Sequence, residues 1–273
     1  MINRNPVPDV KINVAVVVPC YNEEKRFDLE YFDHLSRIEG TTWLFVDDGS
    51  KDATLSVLRD FCGRSNTDFL HLPKNVGKSE ALRIGMSHSI KKHPEVKWVG
   101  FLDSDGAFSI EDVNEILTRV MKSEFEKYEA IFTSRVKLSG RRIQRKPYRH
   151  LLGRILTTIF GVIWKDIPYD TQSGFKVMRN TQIFRDSIFK PFTNRWFFDI
   201  EIILRMARSQ NKLPQIWEQP LFSWVDVSGS KISFREYLRL VFEISKVTIL
   251  LFRNRKHLTD SSSSFMINLK CNE

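Results

Sequence analysis

The sequence predicts an α/β fold with a mostly parallel central sheet flanked by helices, and three observations carry that reading. Runs of β-branched and aromatic residues recur through the first half, Val14-Ala-Val-Val-Val18 being the plainest. Charged stretches with helical spacing separate them. Each run also stops at a polar motif, as buried parallel strands do when they emerge at a ligand-bearing edge.

Taken in order, Val14 to Val18 reads as a first strand ending at Pro19, and Trp43-Leu-Phe-Val46 as a second, stopping at Asp47-Asp-Gly-Ser50. Asp52 is placed to cap the helix that follows. Phe69-Leu-His-Leu72 reads as a third strand, and Ser79 as the start of a helix from Glu80 to Ile90. Trp98-Val-Gly-Phe-Leu102 is a fourth strand, ending at Asp103-Ser-Asp105. Ser109 caps a helix through Val120, and Ala130-Ile-Phe-Thr133 is the fifth strand. Repeated strand-then-helix units build a parallel sheet covered by helices. Four polar motifs in succession at strand ends (Tyr21 to Glu24, Asp47-Asp48, Asn75 to Lys78, Asp103 to Asp105) make a candidate active-site rim.

With 273 residues the chain is long enough to bury a sizeable core. Cys20, Cys62 and Cys271 have no metal-ligand spacing, which favours a reducing compartment. The first residues lack a signal-peptide core, and no run reaches the roughly 18 apolar residues of a membrane span. The reading is a cytoplasmic protein. Its net charge of +9 is uneven: nine basic residues and no acidic one lie between Ile131 and Lys165. A solvated face would explain such a run, but one that equals the whole excess suits phosphates. Nucleic acid is disfavoured, because Trp164 and Tyr169 are not interleaved with the cations as stacking platforms.

Gly77-Lys78-Ser79 ends like a P-loop, yet the glycine required five positions earlier is Leu72, so the phosphate-wrapping loop is absent. No GxGxxG follows the first strand. Asp103 and Asp105 carry the chemistry best. Two carboxylates one residue apart after a buried strand suit a hard divalent cation, Mg2+ or Mn2+, bridging a diphosphate. A helix-capping turn is the bland alternative.

VVVPCYNEE, FVDDGSKDAT, NVGKSEAL and FLDSDGA resemble, in order and spacing, the family 2 glycosyltransferases with the nucleotide-sugar-binding GT-A fold. DTQSGFK and WFFDIEIILRMAR are similar to the branch that loads sugars onto polyprenyl phosphates, dolichyl-phosphate glucosyltransferases first and dolichyl-phosphate mannose synthases more distantly. The resemblance implies that Pro19, Tyr21 and Glu23 border the base and ribose. It implies that Asp48 binds the nucleoside beside Asp47, and that Asn75, Gly77 and Lys78 line the nucleotide pocket. Lys78 either offers charge to the diphosphate or caps the turn. Asp103 and Asp105 would hold the metal ion, with Asp103 also facing the donor.

The implied reaction is an inverting transfer of a hexose, glucose from UDP-glucose, to a dolichyl or undecaprenyl phosphate. A sugar-hydroxyl acceptor in glycan synthesis and a GDP-mannose donor are the alternatives. Arg135 and Arg149 match basic positions used near the acceptor phosphate, or else form a solvated loop. Asp170, then Asp199, is the candidate acceptor-side carboxylate, with helix capping or pairing to arginine as the structural alternative.

The expected organisation is a transferase domain over 1–225, an amphipathic extension over 226–256 and a polar tail over 257–273. Peripheral contact with the cytoplasmic face of a membrane is expected through the helical stripe Leu151 to Trp164 and the segment Phe234 to Phe252. A membrane-anchoring partner protein would be a second means of attachment.

Overall fold

The computed structural model describes residues 12–63, 66–144, 168–193, 195 and 197–225. The stripe over 151–164, the extension over 226–256, the tail and Arg149 lie outside the described residues.

In chain order the elements are β1 (Val14–Cys20), α1 (Leu29–Ser36), β2 (Thr41–Asp47), α2 (Thr54–Phe61), β3 (Thr67–His71), α3 (Lys78–Lys92), β4 (Trp98–Leu102), α4 (Ile110–Met121), β5 (Ala130–Ser134), β6 (Arg142–Gln144), β7 (Phe175–Arg179), α5 (Gln182–Phe189), α6 (Phe198–Gln210), β8 (Ile216–Pro220) and β9 (Ser223–Val225). Seven strands form one sheet in the order β3-β2-β1-β4-β7-β5-β8, and β6 pairs with β9 in a separate two-stranded ribbon.

Period-two alternation in the buried strands builds three layers. Val14, Val16, Val18 and Cys20 of β1 face one core, with Phe32 and Leu35 of α1, Leu58 and Phe61 of α2, and Ile116 and Leu117 of α4. Ala15 and Val17 face the other, with Leu82 and Met86 of α3, Phe184 of α5, and Ile202 and Met206 of α6. A strand covered on both faces reads as a continuous apolar run, which is why β1, β2 and β4 were visible in the sequence.

The sheet is mostly parallel, as expected, with one exception. β7 runs antiparallel to both neighbours, wedged between β4 and β5, while β1, β2, β3, β4, β5 and β8 keep a common direction. Its amino end therefore lies where β4 and β5 have their carboxyl ends. The segment Asp170–Gly174 reaches the rim from the opposite chain direction.

Two helix starts also differ from expectation. Ala53 is the residue before α2, and Asp52 instead accepts from the Thr54 amide and hydroxyl. α3 begins at Lys78 after Gly77, whose φ of +92° suits glycine. The Ser109 cap of α4 forms as expected, its hydroxyl accepting from the Asp112 amide.

Candidate active site

The strand order reverses between β1 and β4, which places a crevice beyond their carboxyl ends. Asp47 ends β2 fully buried, with one carboxylate oxygen 2.7 Å from Nδ1 of His71 and the other accepting from the Ser50 amide at 3.0 Å. Asp48 accepts from the amides of Val76 and Gly77 at 2.7 and 2.9 Å. It thus fixes the Asn75–Lys78 turn against the end of β2. Burial pushes the Asp48 carboxyl above its ordinary range. The two amides and the nearby Arg195 oppose that rise, and Asp47 adds to it.

Glu23 is buried and ion-paired to Arg26 at 2.5 Å, while Tyr21 is exposed at the rim and Pro19 lies within β1. Asn75 is exposed on the turn. Pro19, Tyr21, Glu23, Asp47, Asp48, Asn75 and Gly77 thus come together at the ends of β1 and β2.

Lys78 opens α3 and reaches across to Asp103, Nζ to Oδ1 at 2.6 Å. Burial alone would pull its pKa down, but Asp103, then Asp199 and Asp105, raise it overall and hold the ammonium charged. Asp103 follows β4, its amide donating to the Gly174 carbonyl at 2.9 Å. Asp105 accepts from the Ala107 amide at 3.1 Å. Burial and the neighbouring Asp103 charge lift the Asp105 carboxyl above its ordinary range. Two such neighbouring carboxylates fit a hard cation, whose charge would relieve their repulsion. Among the described residues no group of three or more histidines, cysteines or acids completes a cage. The protein would then supply two ligands and leave the others to water and phosphate oxygens, as suits Mg2+ or Mn2+.

Behind this rim lies a second ion pair that sequence reasoning missed. Lys176 of β7 is 1% exposed, with Nζ 3.2 Å from Oδ1 of Asp199 in the first turn of α6. Nζ also donates to the Ser173 carbonyl and sits over the rings of Phe101 and Phe132, 5.0 and 5.1 Å from their centroids. Burial raises Asp199 to about 6, against the opposing pull of Lys176 and Lys78. Desolvation lowers Lys176, against Asp199. Asp105, Asp103, Lys78, Asp199 and Lys176 thus form a cluster of mixed sign drawn from four parts of the fold.

Asp170 lies at the edge of this cluster, near enough for its charge to act on Lys176. It accepts from the Arg135 amide at 3.0 Å and from Nε and Nη2 of the same residue, both at 2.8 Å. Its own amide donates to Glu218 at 2.8 Å. The Arg135 guanidinium lies 5.1 Å from the Trp224 ring centroid. Asp170 therefore pairs with an arginine, and Asp199 pairs with a lysine beneath the rim rather than facing out of it. Arg195 is a further cation that the sequence reading passed over. It lies against Gly77, where an added Cβ would stand 2.7 Å from Nη2. Its signal was only its place in the segment before α6.

The Glycosyl transferase family 2 model matches residues 15–190, which span all the rim motifs. The chain belongs to glycosyltransferase family 2. It is accordingly a hexosyltransferase, and relatives of known activity share most of its length. A dolichyl-phosphate beta-glucosyltransferase of Trichomonas vaginalis is 30% identical over 258 residues, covering 88% of this chain and 74% of that protein. The Saccharomyces cerevisiae protein of that name is 32% identical, covering 82% and 70%, and the Homo sapiens one 28%, covering 90% and 76%.

Among solved structures, glucosyl-3-phosphoglycerate synthase from Mycobacterium tuberculosis with UDP superimposes with a TM-score of 0.59 at 16% identity, covering 89% of this chain and 80% of that one. Mannosyl-3-phosphoglycerate synthase from Rubrobacter xylanophilus gives 0.61 at 13%, covering 90% and 75%. These likenesses establish the GT-A fold of this family 2 member. No helix among the described residues is long and apolar enough to cross a membrane.

Proposed function

We propose that this chain transfers glucose from UDP-glucose to a polyprenyl phosphate, dolichyl phosphate by its relatives' names, with inversion at the anomeric carbon and with Mg2+ or Mn2+. The observation that carries the reading is the Lys78–Asp103–Asp105 cluster at the strand ends. It stands in a chain that matches dolichyl-phosphate beta-glucosyltransferases over 82 to 90% of its length. A solved structural neighbour was crystallised with Mn2+ and UDP, which supports a divalent ion.

The donor lies across the ends of β1 and β2, with its nucleoside bordered by Pro19, Tyr21, Glu23, Asp47 and Asp48, and the Asn75–Lys78 turn under its diphosphate. Asp103 and Asp105 hold the cation, which when bound neutralises charge on the departing nucleoside diphosphate. Lys78 adds a fixed positive charge at the same place. An oxygen of the lipid phosphate attacks the anomeric carbon from the face opposite UDP. One C–O bond forms as the other breaks, and the electron pair leaves on the diphosphate.

The attacking group is already an anion, with a second pKa near 6, so it needs positioning more than deprotonation. The engagement of Asp170 by Arg135 and of Asp199 by Lys176 agrees with a site that uses no strong carboxylate base. On this reading Asp170 and Asp199 hold cations in place. Arg135, fixed by Asp170, faces the acceptor phosphate, and Arg149 keeps the phosphate-binding role that its sequence motif implies. Contact with the cytoplasmic face of a membrane, directly or through an anchoring partner, brings enzyme and lipid together.

The test is a partition assay with labelled UDP-glucose or GDP-mannose, Mg2+ or Mn2+, and polyprenyl phosphate, followed by organic extraction. Label should enter the organic phase from UDP-glucose. Label from GDP-mannose alone would overturn the donor. No transfer despite donor binding would overturn the acceptor and point to a hydroxyl-bearing glycan.

A further inference from the structure

We propose that the outer face of the β6–β9 ribbon is a docking surface for anionic lipid headgroups, which seats the enzyme with its acceptor side against the bilayer. The inference rests on the lipid-phosphate reading above and assigns it a surface.

The ribbon has two unlike faces. Ile143 and Trp224 point inward and are buried, whereas Arg142, Gln144 and Val225 point outward. Its inner face is fastened to the site. Trp224 bridges to Phe108, just beyond the Asp103–Asp105 turn, and its ring lies under the Arg135 guanidinium. Asp112 of α4 accepts from the amides of Phe222 and Ser223 at 2.7 and 2.9 Å, holding the ribbon on the helix. The ribbon is therefore coupled to the pair Arg135–Asp170 through the Trp224 ring.

The outer face and the loops that enter the ribbon beside it combine apolar and basic groups. Leu138 and Phe222, in the loops before β6 and β9, are 46% and 48% exposed, and Val225 on the outer face is 52% exposed. The Leu138 carbonyl accepts from the Arg141 amide, and the Arg141 guanidinium lies 5.4 Å from the Phe222 ring centroid. The Arg142 amide donates to the Phe222 carbonyl at 2.8 Å. Lys137, Arg141 and Arg142 supply three cations, and residues 135–144 contain no acid.

Three apolar side chains are far too few for a stable protein interface, which needs about 800 Å² from each partner. They suit shallow insertion between headgroups, with arginines at the phosphate level. Each cation near an anionic surface strengthens binding on the order of fivefold. Charge complementarity thus selects an anionic bilayer as the occupant.

The test uses the full chain and sedimentation with vesicles of phosphatidylcholine, with and without about 30% phosphatidylserine, a surface that salt screens. Wild type should bind the anionic vesicles at least tenfold more tightly than the neutral ones. The double variant R141E/R142E should lose at least tenfold on anionic vesicles. F222S/V225S should lose severalfold in a manner that salt does not erase. UDP affinity should stay unchanged in both.

Equal sedimentation of both variants and wild type would overturn the proposal. So would binding that requires vesicles carrying an added membrane protein. Transfer to a short-chain polyprenyl phosphate in detergent separates the two claims. If wild type lacks it while the vesicle differences stand, the acceptor reading fails and the docking surface remains.

Discussion

The carboxylate of Asp103 lies directly over Gly174, the residue that its own amide meets across the β4–β7 pair. A Cβ at position 174 would overlap both carboxylate carbon and oxygen. The backbone just before β7 therefore forms the floor under a group proposed to face donor and metal. The missing side chain is what lets Asp103 reach Lys78 on one side while staying near Asp105 on the other.

Gly174→Ala should accordingly push Asp103 out of register without removing any charge. The expected loss in kcat/KM is roughly 100-fold, the scale of a 1 Å misplacement. UDP affinity measured calorimetrically without metal should stay within about twofold of wild type, while its enhancement by Mn2+ falls at least tenfold. An unchanged Mn2+ enhancement would mean that Asp103 has moved harmlessly.

Removing the proposed metal ligands themselves is the direct counterpart. Asp103→Ala and Asp105→Ala should each lower transfer by on the order of 100- to 1,000-fold while far-ultraviolet circular dichroism stays native. Excess chelator should bring wild type to the same level. Full turnover in chelator would remove the cation from the reaction.

Much of this site was legible because its parts sit where buried strands stop. Val14 to Val18 and Trp98 to Leu102 are apolar on both faces, so their ends are sharp, and Asp103 stands immediately after one of them. β7 was not legible in the same way. FKVMR is a short mixed run, and nothing local distinguishes an antiparallel strand inserted between two parallel ones. Lys176 was missed for a related reason. A lysine in a strand reads as solvent-facing, and only tertiary packing of Phe101, Phe132 and Asp199 around it makes the position interior. Asp170 was seen as a candidate carboxylate, but its bidentate partner Arg135 is 35 residues away and invisible to spacing.

The Arg135–Asp170 pair separates a positioning role from a proton-accepting one. Its side chains are 13% and 8% exposed, so Asp170→Asn leaves a desolvated guanidinium without its carboxylate. A stability loss of about 3 kcal/mol is expected, read by urea denaturation. The Michaelis constant for the lipid acceptor should rise while that for UDP-glucose stays constant. A lowered kcat at unchanged stability, with a new pH dependence, would instead make Asp170 a base.

The buried Lys176–Asp199 pair gives a prediction with a definite pH sign. Lys176→Met leaves Asp199 buried without its ammonium partner, a change that costs about 3–5 kcal/mol. Asp199 in the folded protein titrates at about 6, above its ordinary value because burial disfavours the anion. Folding therefore favours its protonated form. The stabilisation linked to that proton is fully present below the unfolded value near 4 and is lost as pH rises through about 6. In Lys176→Met only Lys78 remains to offset the buried anion. Its stability deficit should thus be larger at pH 8 than at pH 5, where Asp199 can take up a proton. The double variant Lys176→Met/Asp199→Asn carries no buried charge at either position and should recover much of the loss at pH 8. Urea denaturation of the three proteins at both pH values checks this. A deficit that does not change with pH, or a double variant no better than the single one, would show that Lys176 acts by packing against Phe101 and Phe132 rather than by neutralising Asp199.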